Sequence, residues 1–295
     1  MNTKVLLLIS AFIAVAAKSN NVQNLESYTF EQYLEEFNLK YTEAELPKRR
    51  EIFNSELQRI KVHNSKNLSW QEGVNKFSAL TPAEKTAIFG RNKGSTRSKK
   101  MLKSSHDLPS DFKLKSISEL PKNVDWRKIP NVVSPVKDQG HCGSCWAFAS
   151  TAVIESHVAL KSGLLFDLSV QQIAMCAPNP NQCGGSGGCN GATAELAFDY
   201  LTNSNGIYQE YQYSYQSYYG KDYECAIPSG SPVATINGYV QLPINNQTAL
   251  LNAVAQLGPI AVSVDASTWS SYSGGIFNGC NQVNPDINHA VVLVG

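Results

Sequence analysis

Apolar residues in the first part of the chain recur at the spacing of a helix. Within residues 28–67, which are rich in helix formers, they fall about three or four positions apart, first from Phe30 and again from Phe53. Residues at these separations lie on one face of a helix. The pattern therefore predicts two amphipathic helices, each with one face to bury.

Two further helices are predicted in the middle of the chain. Residues 145–160 are mostly small or apolar, and Gly163 follows as a typical helix stop. Ser169 and Gln172 have the spacing of a capping box, which predicts a short helix that ends near Cys176.

After Gly230 the pattern changes from helical to extended. Residues 233–240 and 260–264 are rich in β-branched and apolar residues, with Gly and Pro at their borders, which predicts strands. A helical half followed by a β half indicates an α+β fold.

The N-terminus differs from the rest of the chain. An unbroken apolar run from Val5 to Val15 follows Lys4 and ends among small residues, which is typical of a secretory signal peptide at residues 1–17. The run is about 11 residues long, and no other segment reaches the roughly 18 that a membrane span needs. We expect a soluble protein with no membrane partner. With 42% hydrophobic and 17% charged residues, it can bury a sizeable core in one or two domains.

Charge divides the chain near residue 117. Residues 1–117 carry 19 Lys and Arg against 12 Asp and Glu, whereas residues 118–295 carry 6 against 12. A basic leader and an acidic body attract each other, although drift in composition alone is the alternative. Residues 91–106 are basic and polar, and we interpret them as a protease-accessible linker in preference to a heparin-type patch. No basic face indicates nucleic acid.

Residues 139–146, Gln-Gly-His-Cys-Gly-Ser-Cys-Trp, carry the strongest chemical signal. A cysteine that hydrolyses amides must act as a thiolate, and its pKa falls at a helix N-terminus and beside a cationic histidine. Cys145 begins the predicted helix and is the candidate nucleophile.

Only one of the five histidines is a credible partner for Cys145. Two lie in the leader, His157 is roughly 18 Å away along the same helix, and His141 is expected at the rim of the cleft. His289 remains, in an apolar stretch that indicates a buried strand, where a histidine that merely packs in the core is the alternative. Its position 144 residues after Cys145 favours catalysis.

These residues resemble the papain family of cysteine peptidases, whose signature around the nucleophile is Cys-Gly-Ser-Cys-Trp. The resemblance implies a two-domain fold, with a helical left domain and a β-barrel-like right domain, preceded by a helical inhibitory propeptide. We assign residues 18–117 to the propeptide, with a helical core at about 28–90 and a basic linker at 91–117, and residues 118–295 to the peptidase domain. Gln139 matches the glutamine that stabilises the oxyanion together with the Cys145 N–H.

The leader resembles the propeptides of cathepsin L-like members of that family. It matches five of the six positions of their interspersed motif, namely Glu45, Arg49, Phe53, Ile60 and Asn64, while Glu56 stands where the group has Asn. A second motif is matched by Gly73, Asn75 and Phe77, with Ala79 in place of Asp. The resemblance implies that the leader inhibits its own peptidase domain.

The seven cysteines, none before residue 142, imply disulfides and at least one free thiol, because their number is odd. The resemblance implies the pairs Cys142 with Cys189 and Cys176 with Cys225, and it leaves Cys183 and Cys280 without assigned partners. A zinc site made of Cys142, Cys145, Cys183 and Cys189 is disfavoured by its spacing and by the secretory context. We expect no metal and no cofactor.

The resemblance also implies the substrate contacts. Gly191 and Ala192 match a loop that binds an extended polypeptide through its backbone, although the family usually has Gly at position 192. Asn288 stands where papain has Asp. The main specificity pocket is expected to be lined by three small residues, Ala194, Ser263 and Ala290. We therefore expect a bulky apolar or aromatic side chain two residues before the cut.

The sequence thus predicts the precursor of a monomeric cysteine endopeptidase that cuts polypeptides through a thioester acyl-enzyme. It is expected on the secretory route to a lysosome, a vacuole or the exterior. The family's later Asn and Trp do not occur before Gly295, so we expect the chain and its right domain to be incomplete. An inactive fragment or homologue that acts as a secreted binding or inhibitor protein is the alternative.

Overall fold

The computed structural model describes residues 24–91 and 107–295. The predicted signal segment and residues 92–106 of the basic linker lie outside the described residues. The helices are α1 (Phe30–Glu36), α2 (Leu46–Asn64), α3 (Pro82–Ile88), α4 (Cys145–Ser162), α5 (Val170–Cys176), α6 (Ala194–Asn203) and α7 (Gln247–Gln256). The strands are β1 (Trp70–Glu72), β2 (Ile260–Val264), β3 (Tyr272–Gly275) and β4 (His289–Leu293). Within the two described ranges, no helix has the length and apolar character to cross a membrane.

The two helices predicted in the leader are present and pack against each other. Thr29 caps α1, because its hydroxyl accepts a hydrogen bond from the Gln32 N–H at 3.2 Å. The side chain of Gln32 in turn accepts a hydrogen bond from the Thr29 N–H at 2.9 Å. Phe30, Tyr33 and Phe53 are at most 2% exposed and share one core. The apolar residues that recur at helical spacing thus form the core of the leader.

Arg49 joins α2 to α3. Its guanidinium donates to both carboxylate oxygens of Glu84, at 2.6 and 2.7 Å, whereas Glu45 lies 3.6 Å away. Arg49 also donates to the carbonyl of buried Ala79 at 3.2 Å. Hydrogen bonding to Arg49 lowers the pKa of Glu84 to about 2. Glu84 therefore gives Arg49 its closest carboxylate.

The leader docks on the peptidase half at residues 269–279, which we call the platform. Strand β1 pairs antiparallel with β3 there, with Trp70 opposite Gly275. The amide of Asn75 donates to the Ser270 carbonyl at 2.6 Å. Two chain segments about 200 residues apart in sequence therefore form one small sheet.

A charged cluster fastens α2 to the same platform. The hydroxyl of buried Ser271 donates to Glu56 at 2.5 Å and accepts from Arg59 at 2.9 Å. Arg59 also reaches both oxygens of buried Glu72 at 2.8 Å. Burial opposes the ionisation of Glu56, but hydrogen bonds from Arg59 and Ser271 outweigh it and lower its pKa to about 2. Glu56, the departure from the family motif, thus contacts the peptidase half directly.

Helix α4 is the centre of the helical half. It begins at Cys145, and Gly163, with φ of 78°, ends it, as the sequence predicts. Trp146 and Ile154 are at most 2% exposed and pack in one core with residues of α5 and α6. This packing fixes the start of α4 against its surroundings.

The β half pairs β2 with β4 in an antiparallel register. Ser263 lies opposite Ala290, and Val264 opposite His289. The prediction of a strand at 260–264 is confirmed, but the prediction of a strand at 233–240 is wrong. Only Ala234 in that range makes a β-bridge, with Ile207. β-propensity reflects how well a segment fits neighbouring strands, and residues 233–240 pair with another segment at Ala234 only.

Candidate active site

The thiol of Cys145 lies at the first position of α4 and is 1% exposed. Its Sγ accepts a hydrogen bond from the Ala290 N–H at 3.4 Å. A helix N-terminus favours the thiolate, but burial raises the pKa of Cys145. In this state burial therefore favours the neutral thiol.

His289 begins β4, and the residue after it is the one that donates to the thiol. The ring of Phe89 meets the imidazole edge-on, with centroids 5.8 Å apart. Burial lowers the pKa of His289 to about 4. Within the described part of the chain, its buried Nδ1 has no hydrogen-bond partner. The imidazole is thus also neutral at neutral pH.

Two other histidines of this half make contacts elsewhere. The Nε2 of His157 contacts the Pro259 carbonyl at 2.9 Å, in the packing of α4 against the β half. His141 is exposed and meets Tyr218 edge-on at 6.5 Å. Neither contact involves Cys145.

Gln139 points its amide into the cleft. Its Nε2 donates to the Cys142 carbonyl at 2.7 Å, which orients the group, and to the Ile88 carbonyl at 2.8 Å. The Ile88 carbonyl of the leader therefore accepts a hydrogen bond from the Gln139 amide group that is expected to stabilise the oxyanion.

Residues 88–91 of the leader, which we call the blocking segment, cross directly over the thiol. A Cβ at Gly90 would lie 2.8 Å from the Cys145 Sγ and 2.0 Å from the Gly143 carbonyl oxygen. Only a residue without a side chain fits at such a distance. The sequence alone does not reveal this role, because a glycine after a helix is equally typical of a helix end.

The blocking segment also binds to the loop that is predicted to contact the substrate. The Ala192 N–H donates to the Gly90 carbonyl at 3.1 Å. Gly191 has the left-handed φ of 91°, whereas Ala192 does not have a positive φ. The methyl group at position 192 is thus compatible with the loop, because the strained conformation falls on Gly191.

The remaining predicted substrate residues lie around β2 and β4. Ala194 begins α6, and Ser263 and Ala290 face each other across the sheet. Asn288 is 7% exposed; its side chain accepts from the Ala266 N–H at 3.0 Å and donates to Ser267 at 2.8 Å. In this state the Asn288 side chain supports the turn beside β2.

Two disulfides have the pairing that the resemblance implies. Cys142 is bonded to Cys189, with Cα atoms 4.5 Å apart, and Cys176 to Cys225, at 4.9 Å. The first joins the turn before α4 to the loop that contains Gly191, so it links two walls of the cleft. It also excludes the zinc site, since Cys142 and Cys189 have no free thiolate.

Cys183 and Cys280 form no disulfide, and Cys280 is exposed. In the described ranges, no group of three or more His, Cys, Asp and Glu residues is arranged to hold a metal ion.

Family models match both parts of the chain. A model described as papain family cysteine protease matches residues 120–295, and one described as cathepsin propeptide inhibitor domain matches residues 30–84. The second match covers α1, α2 and β1, and the first contains every residue of the cleft except the blocking segment.

Similar proteins include precursors of the same kind. Cathepsin L1 of Drosophila melanogaster is 34% identical, over 100% of this chain and 79% of that protein. Pro-cathepsin H of Mus musculus is 31% identical, over 93% of this chain and 78% of its own length. The solved structure of digestive procathepsin L2 from the larval midgut of Tenebrio molitor has a TM-score of 0.77 at 32% identity, over 90% of this chain and 83% of that one.

Proposed function

Because the chain belongs to the papain family of cysteine proteases, we propose that Cys145 and His289 form its catalytic dyad and that Gln139 stabilises the oxyanion. The chain is the precursor of a cathepsin-like cysteine endopeptidase with the papain-like fold, kept latent by its propeptide. One observation carries the residue assignment: the blocking segment covers the thiol and takes the hydrogen bonds of both Gln139 and Ala192. An inhibitor that fills these positions blocks the groups that a substrate needs.

In the proposed reaction, His289 takes the proton of Cys145 once the blocking segment has left. The thiolate attacks the scissile carbonyl, and Gln139 and the Cys145 N–H stabilise the negative oxygen. The imidazolium then protonates the leaving amine, and a water molecule activated by His289 hydrolyses the thioester. No metal or other cofactor enters these steps.

The proposed domains are the signal segment 1–17, the propeptide 18–117 and the peptidase domain 118–295. The gap between the two family matches, residues 85–119, supports a boundary in this region. Maturation is proposed between residues 114 and 120, and the exposure of Leu114 and Ile117, at 65% and 54%, gives a protease access there.

The proposed substrate is an extended polypeptide that hydrogen-bonds to Ala192 and passes Gly191. Small side chains at Ala194, Ser263 and Ala290 support a roomy pocket for a bulky apolar or aromatic residue two positions before the cut. Asn288 is proposed to act by holding the adjoining turn. We further propose a monomer on the secretory route, with lysosome, vacuole and exterior as destinations.

Active-site labelling tests the assignment. The full chain is treated with an epoxide thiol reagent before and after processing, beside the variants Cys145→Ala and Cys280→Ala; the second removes an exposed free thiol as a matched control. We expect labelling and peptide cleavage to appear on processing and to vanish only in Cys145→Ala. Cleavage that survives Cys145→Ala would contradict the proposal.

A further inference from the structure

The platform contains a slot that holds one indole ring. Trp70 of the leader is 7% exposed, and its ring centroid lies 4.6 Å from that of Phe277. Its Nε1 donates to the side-chain oxygen of Asn278 at 3.1 Å. The slot, formed by Gly275, Phe277, Asn278 and Gly279, thus contacts the ring and accepts a hydrogen bond from its polar edge, while His63 of the leader packs on the ring with centroids 4.0 Å apart.

Two glycines leave room for this ring. A Cβ at Gly279 would lie 3.0 Å from Cζ2 of Trp70, and one at Gly275 would lie 2.7 Å from its Cα. Side chains are therefore missing from the peptidase surface where the tryptophan and its backbone approach. Both glycines belong to the peptidase half, which remains when the leader is removed.

The backbone beside the slot provides a sheet edge. The Ile276 N–H donates to the Ser69 carbonyl at 2.7 Å, and the Ser271 carbonyl accepts from the Gly73 N–H at 2.8 Å. These bonds use backbone atoms, so many extended segments can form them. Among the described residues β3 pairs with β1 alone, so the departure of β1 leaves the backbone groups of β3 unpaired, and unpaired backbone groups readily accept an added strand.

We propose that this surface is a second peptide-binding site of the processed enzyme, at which an extended segment of a protein substrate adds to β3 and places a tryptophan in the slot. The inference rests on the proposed function only in requiring that the leader be removed. The chemistry of the occupant is that of the segment now bound: a strand with one large aromatic residue that can donate a hydrogen bond.

The leader demonstrates that one chain reaches both sites at once. Trp70 fills the slot while Gly90, 20 residues later, covers the thiol. A protein substrate is long enough to bridge them, whereas a dipeptide substrate is not. The second site therefore raises the effective concentration of protein substrates at the cleft and has no effect on short ones.

Peptide binding tests the site without requiring activity. The probe is a fluorescent peptide with the sequence of residues 67–77, and the protein is the processed chain with Cys145 alkylated. We expect binding to weaken about tenfold or more in the peptide with Trp70→Ala, as for other buried aromatic anchors. The same loss is expected for Gly279→Val, which fills the slot. Leu164→Val is the control, because it places a valine at an exposed residue outside the platform. Equal binding by the two peptides, or by Gly279→Val and Leu164→Val, would overturn the proposal.

Kinetics provide the second measurement. For a denatured, tryptophan-containing protein substrate, Gly279→Val is expected to lower kcat/KM several-fold relative to Leu164→Val, with no change for a dipeptide substrate. A parallel loss on both substrates, or no loss on the protein, would contradict the second site. An absence of all cleavage contradicts the proposed function and leaves the binding result to decide this inference.

Discussion

The leader contacts the peptidase half in two regions that use different chemistry. In the cleft, the blocking segment uses backbone carbonyls and a glycine that passes Cys145 without a side chain. At the platform, the leader adds large or charged side chains, chiefly Trp70 and the pair of Glu56 and Arg59, to the backbone pairing of β1 with β3. The difference separates two tasks. Side chains at the platform supply binding free energy and specificity, and backbone in the cleft denies access to the thiol.

The largest effect is expected from Trp70→Ala. Removal of a buried aromatic ring costs about 3–5 kcal/mol, and here the loss falls on the docking of the leader. Cys145 should become open to alkylation although no residue of the cleft has changed. Tyr211→Ala, at a side chain that is 76% exposed, is the control for loss of an aromatic residue. Unchanged alkylation of Cys145 in Trp70→Ala would contradict the claim that contacts at the platform hold the leader in place.

A fall in pH should weaken docking through the cleft. The pKa of His289 is lowered by burial from 6.5 to about 4 in the latent state. Released protein with a solvated His289 therefore takes up a proton that the latent state excludes. Docking then loses free energy as the pH falls from about 6.5 to about 4, by at most about tenfold in its equilibrium constant per pH unit. Below that window this group adds no further change.

Protection of Cys145 measured across the pH window checks this expectation. Phe89→Ala exposes the imidazole to water, so its pKa should rise and the pH dependence should flatten. A pH dependence that is identical in Phe89→Ala and the parent would show that His289 is not the responsible group.

Gly90→Ala should separate access from binding. The added methyl clashes with Gly143 and the thiol, and overpacking of this kind costs about 1–3 kcal/mol. Alkylation of Cys145 should therefore accelerate about 10- to 100-fold, while the cores of α1 and α2 unfold at the same temperature as before. Gly274→Ala, on an open surface, is the control. Loss of the whole leader in Gly90→Ala would mean that the cleft also anchors it.

The smallest effect is expected from the charged cluster. Hydrogen bonds to charged groups contribute about 1.5–3 kcal/mol, and the redundancy of Arg59 and Glu72 places this one at the low end. A double-mutant cycle with Glu56→Gln and Ser271→Ala isolates the coupling in the free energy of docking. Additive effects of the two substitutions would show that the contact between Glu56 and Ser271 does not contribute to docking.

The sequence was most informative where local patterns decide the structure. The extent of α4 follows from the small and apolar residues after Cys145 and from Gly163, and the two leader helices follow from apolar spacing. The strand predicted at 233–240 failed, because strand formation depends on a partner that local composition does not specify. The docking of Trp70 on Phe277 links residues 207 positions apart, and no local signal marks either of them.

In the candidate site, the sequence selected the proposed reacting groups but did not reveal their environment. The octapeptide at 139–146 and the elimination among histidines led to Cys145 and His289, and the family resemblance led to Gln139. Phe89 and Gly90 carry no motif, and their role arises only when the leader is laid across the cleft. Burial raises the pKa of Cys145 and lowers that of His289, and the sequence alone does not reveal this burial.

The filled cleft also determines the kinetic order of activation. A cut between residues 114 and 120 needs an empty cleft, and a molecule whose blocking segment is in place has none to offer. The first cut is then made by a molecule whose blocking segment has left its cleft, and where that molecule cuts a latent neighbour the early rate depends on the square of the protein concentration. A dilute precursor is then activated slowly. A concentrated precursor shows a lag in activity followed by rapid acceleration, and a trace of mature enzyme abolishes the lag.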